Sequence, residues 1–192
     1  MNNDLRAGNL AARRALTEEV WLEKSRIVQK RVMASVPFQD AAVIFSYVGF
    51  NREVKTEVII AEALARGKTV CIPFTDWKGG FLTPVKISSF DEITTGSGRV
   101  PQPADREPFP LEKVNVLLIP GVVFDLHGNR IGMGKGFFDR FLAALPPSAV
   151  KIGLAFDLQI VESLTPAPWD VAMDWVMTES RVIQANKPEL SK

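Results

Sequence analysis

Residues 120–140 concentrate the side chains that can do chemistry: Pro-Gly-Val-Val-Phe-Asp-Leu-His-Gly-Asn-Arg-Ile-Gly-Met-Gly-Lys-Gly-Phe-Phe-Asp-Arg. Gly132, Gly134 and Gly136 alternate within it. Without Cβ atoms, such a stretch can adopt positive φ and bring its N–H groups close to an anion. Arg130, Lys135 and Arg140 surround that backbone. Arg130 can hold two phosphate oxygens in a planar fork, while Lys135 supplies a point charge. Asp125 and Asp139 are the nearby carboxylates, and a carboxylate beside phosphates is the usual seat of Mg²⁺. These parts suit a nucleoside triphosphate. The spacing fits neither G-x-x-x-x-G-K-[ST], because Gly136 follows Lys135, nor G-x-G-x-x-G. The competing reading is a glycine-rich turn whose charges face water. Three cations and two acids behind a very apolar strand favour the anion site.

That strand is expected at Val114–Ile119, with Pro120-Gly121 directly after it and a helix over 136–145 beyond the glycines. Upstream, Leu5, Ala12 and Leu16 share one face of a first helix. Thr17 followed by Glu18 and Glu19 reads as an N-cap opening a second. Trp21, Val28 and Val32 continue that helix until Pro37 ends it. Strands are expected over 41–48, over 69–72 closed by Pro73, and at the edge over 81–87. Thr56 should cap a helix that turns Val58, Ile59 and Leu64 inward and stops at Gly67. Further strands fall at 151–156, 175–178 and around Val182. Strands alternating with helices predict an α/β fold with a largely parallel sheet, whose ligands gather at the carboxyl ends of the strands.

Composition narrows the function. Lys and Arg number 23 against 22 Asp and Glu, a formal charge of +1, so the basic excess of a nucleic-acid or anionic-membrane binder is missing. The 192 residues predict one domain over 1–192. One cysteine, Cys71, permits no internal disulfide, and one histidine, His127, excludes a His-rich metal site. The opening residues Met1 to Arg6 carry no apolar signal core, no apolar run approaches a membrane span, and the expected setting is the cytoplasm. His127, between Leu126 and Gly128, reads as a solvated turn. Cys71, inside an apolar strand, reads as a buried small hydrophobe. Arg13 and Arg14 read as a solvated helix face, whereas Trp77, in a loop region, is placed to touch a ligand.

Residues 118–140 resemble the signature of the 5-formyltetrahydrofolate cyclo-ligase family, also called methenyltetrahydrofolate synthetase: P-G-x-x-F-D-x-x-G-x-R-x-G-x-G-x-G-[YF]-[YF]-D-R. The resemblance extends to Leu5-Arg6, Arg13, Tyr47, Glu53 to Glu57, Pro101-Gln102-Pro103, Phe156 to Gln159, and Asp170 and Asp174 before Thr178-Glu179. It implies a three-layer α/β/α sandwich and an ATP-driven ring closure of 5-formyltetrahydrofolate to 5,10-methenyltetrahydrofolate, with ADP and phosphate released. The enzyme so implied is a cytoplasmic monomer of one-carbon metabolism that uses Mg²⁺.

Carried across position by position, the resemblance implies that Arg130, Ile131, Gly132, Met133, Gly134, Lys135, Gly136, Phe137 and Phe138 line the ATP phosphates, joined by Asn2 and Arg6. Arg130 and Lys135 would be the catalytic cations. Asp139 would bind Mg²⁺, with Asp174 as a second candidate for that role. Val48, Phe50, Glu53 and Phe137 would hold the folate, the Glu53 carboxylate facing the pterin N–H donors. The chain departs from the pattern at Asn2, where the family has Lys, and at Phe137-Phe138, where Tyr is common. Two other readings stay open beside this one. The first is a non-catalytic folate- or nucleotide-binding relative; the second is an ATP-independent sugar-phosphate isomerase or acyl transferase on a related layered fold.

Overall fold

Capping and proline placement set the first elements of the computed structural model, which describes residues 2–185. Helix α1 spans Asn2–Arg14. Thr17 then accepts the Val20 N–H at 3.3 Å and opens α2, Glu18–Ala34. Pro37 does not simply end that helix. Ser35 caps a short α3, Val36–Asp40, with the proline in its first turn, where no intrahelical N–H is owed. The chain continues through β1, Val43–Ser46; α4, Glu57–Ala65; β2, Thr69–Asp76; and β3, Phe81–Ile87. Short strands β4, Ile93–Thr95, and β5, Pro101–Pro103, form a separate ribbon. Then come β6, Val116–Pro120; β7, Val123–Asp125; β8, Arg130–Ile131; and α5, Phe137–Ala143. The last elements are β9, Val150–Leu154; β10, Ile160–Val161; β11, Trp175–Met177; and β12, Val182–Gln184.

Seven strands make the main sheet in the order β12-β11-β9-β6-β1-β2-β3. The inner five run parallel, and the two edge strands antiparallel. Strand alternation sorts the core into two layers. Ile44, Ile72, Leu118 and Ile152 face Val28 and Val32 of α2 and Ile59 and Ile60 of α4. Phe45, Cys71, Leu117 and Ile119 face Phe141 and Leu142 of α5. This is the expected three-layer α/β/α arrangement. A second sheet, β10-β7-β8, packs Val122, Val123 and Ile131 against Leu5 and Leu10 of α1. That sheet was not foreseen, because its strands are two or three residues long and carry no periodicity.

Two expectations need correction. Val58 is 54% exposed, because the buried stripe of α4 runs through Ile59, Ile60 and Ala63. Pro73 does not close β2. The pairing with β1 ends at Cys71, so the missing proline N–H falls beyond the last residue that needs it on that side. Among the described residues, no helix is long and apolar enough to cross a membrane.

Candidate active site

The glycine loop lies just past β8 and opens α5. Gly134 takes φ +92° and Gly136 φ +67°, conformations that side-chain-bearing residues avoid. Arg6 of α1 lies beneath: its Nε donates to the Gly132 carbonyl at 2.9 Å, and a Cβ on Gly134 would meet its guanidinium at 3.5 Å. Among the described residues, no hydrogen bond takes up the main-chain N–H groups of Gly132, Gly134 or Gly136. Helix α5 has only seven residues, shorter than the expected span. An anion placed here would therefore meet loop amides and guanidinium groups more than a helix dipole.

Two cavities meet at this loop. One is mostly apolar and gathers Val48, Phe50, Glu53, Trp77, Met133, Lys135, Phe137 and Phe138. The other is polar and gathers Asn2, Arg6, Asn129, Ile131, Thr165, Trp169 and Asp170. Arg130, Gly132, Gly134, Gly136 and Asp139 line both. The implied phosphate-lining run is thus divided by the structure. Met133, Lys135, Phe137 and Phe138 face the apolar cavity, Ile131 faces the polar one, and the glycines form the partition. The implied folate residues Val48, Phe50, Glu53 and Phe137 do come together. Thr75, Leu82, Val100 and Pro101 join them from β2, β3 and the β4–β5 ribbon, positions that carry no motif.

Glu53 is positioned by a strained turn. Asn51 and Arg52 both adopt positive φ, 50° and 61°, and the turn folds Glu53 back so that its carboxylate accepts the Phe50 N–H at 3.4 Å. Burial raises the Glu53 pKa to about 7, opposed by the Arg13 charge and the Phe50 N–H. Arg13 is not on a solvated face: it is 2% exposed, with Nη1 donating to the Gly121 carbonyl and Nη2 to the Asn51 carbonyl, each at 3.3 Å. It therefore ties the end of β6 to the Glu53 turn from below. Tyr47 donates its hydroxyl to the Val54 carbonyl at 2.9 Å; burial first, and the Glu53 charge second, push its pKa well up. Trp77 reaches the cleft as expected, edge-on to Phe137 at 5.3 Å, with the Lys135 ammonium 5.8 Å from the Trp77 ring.

In the partition, the Arg130 side chain is 4% exposed and donates through Nη2 to Asp139 Oδ1, while its Nε is buried without a partner. Burial lowers the Arg130 pKa, opposed by the charges of Asp139 and Asp170. Asp170 is the carboxylate that sequence reasoning passed over in favour of Asp174. It lines the polar cavity with Asp139. Asp174 precedes β11 and pairs with Lys151 near the start of β9, accepting its N–H at 2.8 Å and its ammonium at 2.9 Å. In a parallel sheet those are the amino ends of the strands, opposite the cavities, so Asp174 is not brought to the site.

Asp125, the other acid of the motif, is fully buried. It accepts the N–H groups of His127, Asn129 and Leu164 and the Asn129 amide, which leaves it structural. Arg140 is likewise engaged, donating to the carbonyls of Gly80 and Lys135 and so joining the β2–β3 turn to the loop. His127 is exposed in its turn. Cys71 is buried, and burial pushes its thiol up to about 12.

Comparisons with known proteins agree with this architecture. The model of the 5-formyltetrahydrofolate cyclo-ligase family matches residues 1–179. The 5-formyltetrahydrofolate cyclo-ligase of Escherichia coli K12 is 32% identical over 174 residues, covering 88% of this chain and 96% of that protein. The mouse cyclo-ligase is 30% identical over 177 residues, covering 86% and 87%. Among solved structures, the Aquifex aeolicus 5,10-methenyltetrahydrofolate synthetase superposes with a TM-score of 0.86 at 27% identity, covering 100% of this chain and 96% of that one. The Mycoplasma pneumoniae synthetase, at 22% identity and a TM-score of 0.76 over 93% and 98%, shares the fold. With a glycine loop between two cavities and a family match along nearly the whole chain, this protein belongs to the 5-formyltetrahydrofolate cyclo-ligase family.

Proposed function

We propose that the chain closes 5-formyltetrahydrofolate to 5,10-methenyltetrahydrofolate at the expense of ATP, with the nucleotide in the polar cavity and the folate head in the apolar one. The observation that carries this is the shared partition: Arg130, Gly132, Gly134, Gly136 and Asp139 face both cavities. A phosphoryl group held there lies against both ligands.

An amide-like formyl oxygen is a poor leaving group until it is phosphorylated. In the proposed sequence the formyl oxygen attacks the γ-phosphorus and ADP leaves. N10 then attacks the formyl carbon and loses its proton, and phosphate departs with the former formyl oxygen. The protein's task is to align the two ligands and neutralise the charge on the transferring group. The buried Arg130 Nε and the unpaired loop N–H groups are donors waiting for phosphate oxygens. Lys135 lies on the folate side of the partition, where charge develops on the transferring group. The ionised Glu53 accepts from pterin N–H donors, with Phe50, Trp77 and Phe137 excluding water around it.

The donor set also fits Mg²⁺. Among the described residues no cluster of three or more His, Cys, Asp or Glu side chains occurs, but Mg²⁺ beside phosphates needs only one or two carboxylates. Asp139 and Asp170 meet that need, and the ion would neutralise phosphate charge when bound. A monomer working in the cytoplasm, with no nucleic-acid or membrane partner, completes this reading.

The test is the appearance of methenyltetrahydrofolate absorbance from the 5-formyl compound, with and without ATP and Mg²⁺. Turnover that requires both supports the reading. No product at micromolar enzyme overturns it, and tight binding without ADP release would favour the non-catalytic relative instead.

A further inference from the structure

The polar cavity has acceptors and donors for a polyphosphate, yet among the residues that line it only one is aromatic: Trp169. That indole is 71% exposed, the most exposed ring among the large apolar side chains of the described protein. An exposed aromatic on a loose surface segment would mean little. Trp169 is not on such a segment. The stretch from Leu164 to Met173 has no helix or strand but is fastened at both ends: Leu164 N–H donates to Asp125 Oδ2 at 2.8 Å, and Met173 N–H to the Gly128 carbonyl at 2.8 Å. Between them the Ala167 N–H donates to Asp170 Oδ2 at 2.8 Å, and the Asp170 N–H returns to the Ala167 carbonyl at 3.0 Å. This closed turn holds Trp169 at the cavity wall, one residue from the carboxylate that faces Arg130.

We propose that Trp169 is the platform on which the base of the bound nucleotide stacks, making it a specificity-determining residue for the nucleotide. The proposal rests on the nucleotide reading of the polar cavity. The glycine loop and Arg130 grip only phosphate, which every polyphosphate shares, so they cannot tell a nucleotide from inorganic tripolyphosphate. A planar heteroaromatic base needs a π-face, and the indole supplies the largest one available. The same turn, through Asp170, then sets the distance between the base and the charged end of the nucleotide.

Isothermal titration of the full chain with Mg·ATP and with Mg·tripolyphosphate tests this. Because the indole is largely solvent-exposed, its removal leaves the core intact. Trp169→Ala is expected to weaken Mg·ATP by about 10- to 100-fold, the range of one base–aromatic stack, and to leave Mg·tripolyphosphate within about twofold. Trp169→Phe, which keeps a ring, should retain most of the ATP affinity. Unchanged ATP affinity in Trp169→Ala overturns the proposal while leaving the nucleotide reading intact. So does a loss that Trp169→Phe shares in full, or one that falls equally on tripolyphosphate. A wild-type chain that binds neither ligand overturns the nucleotide reading, and this proposal with it.

Discussion

Arg130 and Asp139 join hands across the glycine loop, guanidinium Nη2 to carboxylate Oδ1, and both face the two cavities that the loop separates. The contact brackets the loop at its two ends. It also keeps a buried cation paired before any phosphate arrives, which limits the cost of burying it.

Asp139→Asn breaks that bracket and removes a negative group from the polar cavity. Turnover should fall by at least about 100-fold, the scale of losing one well-placed electrostatic group. The Mg²⁺ dependence should also move to higher concentration. Asp170→Asn should shift the Mg²⁺ titration in the same direction. Asp174→Asn should leave that titration alone and lower the melting temperature, because it strips a partner from Lys151. A metal titration of turnover on the three variants separates these roles, and a shift in Asp174→Asn alone would reverse the assignment.

Lys135 faces the apolar cavity beside Trp77 rather than the polar one. Lys135→Ala should therefore act chiefly on kcat, lowering it by about 100- to 1000-fold, with folate dissociation changed by no more than about threefold. Single-turnover kinetics together with equilibrium folate binding would check this. An equal loss in both would show that the side chain supports the loop rather than the transfer.

Glu53 makes stability depend on pH. Its ordinary value of 4.5 rises to about 7 on folding, so the native state takes up a proton between those values. The group's contribution is full below pH 4.5 and is lost as pH rises through 7; the displacement corresponds to roughly 3 kcal/mol. Denaturant unfolding between pH 5 and pH 7.5 should show this decline in the wild type and a flatter profile in Glu53→Gln. If both profiles have the same slope, the proton sits elsewhere.

The same carboxyl should report ligand binding. Pterin N–H donors favour its ionised form, so folate binding near pH 7 should release a fraction of a proton. Calorimetry in buffers of different ionisation enthalpy measures that release. Glu53→Gln should abolish it and weaken folate by about 10-fold or more, as expected for a hydrogen bond to a charged group. Folate affinity that stays at the wild-type level in this variant would remove Glu53 from the binding site.

Arg13 offers a test of architecture. Arg13→Ala leaves the Asn51 carbonyl without this donor and removes the cation facing Glu53. The loss expected for breaking a buried charged contact is about 3–5 kcal/mol, read as a fall in the denaturation midpoint. A loss below about 1 kcal/mol would mean that the turn carrying Glu53 stands without it.

The glycine loop and the parallel sheet were legible in the sequence because their signals are local. Glycines spaced at two, flanked by cations, announce a backbone site, and runs such as Val116 to Ile119 announce a buried strand. What escaped notice depends on distant chain segments. Arg13 looks like any helix-face arginine until α1 is laid against the end of β6. Asp170 and Asp174 are four residues apart and chemically identical, and only the direction of β11 sends one to the amino end of the sheet and leaves the other at the cavity. Thr75, Leu82 and Val100 reach the cleft through an edge hairpin and a ribbon that carry no chemical motif of their own.

The narrowness of the divider between the two chambers has a consequence for how the molecule can fail. Lengthening the chain by a single residue between Gly132 and Gly136 would leave the outer walls of each chamber standing and displace the divider they share. The donor oxygen and the phosphorus would then face each other across too wide a gap. Such a variant should fill with both ligands and make no product, separating occupancy from reaction in one step.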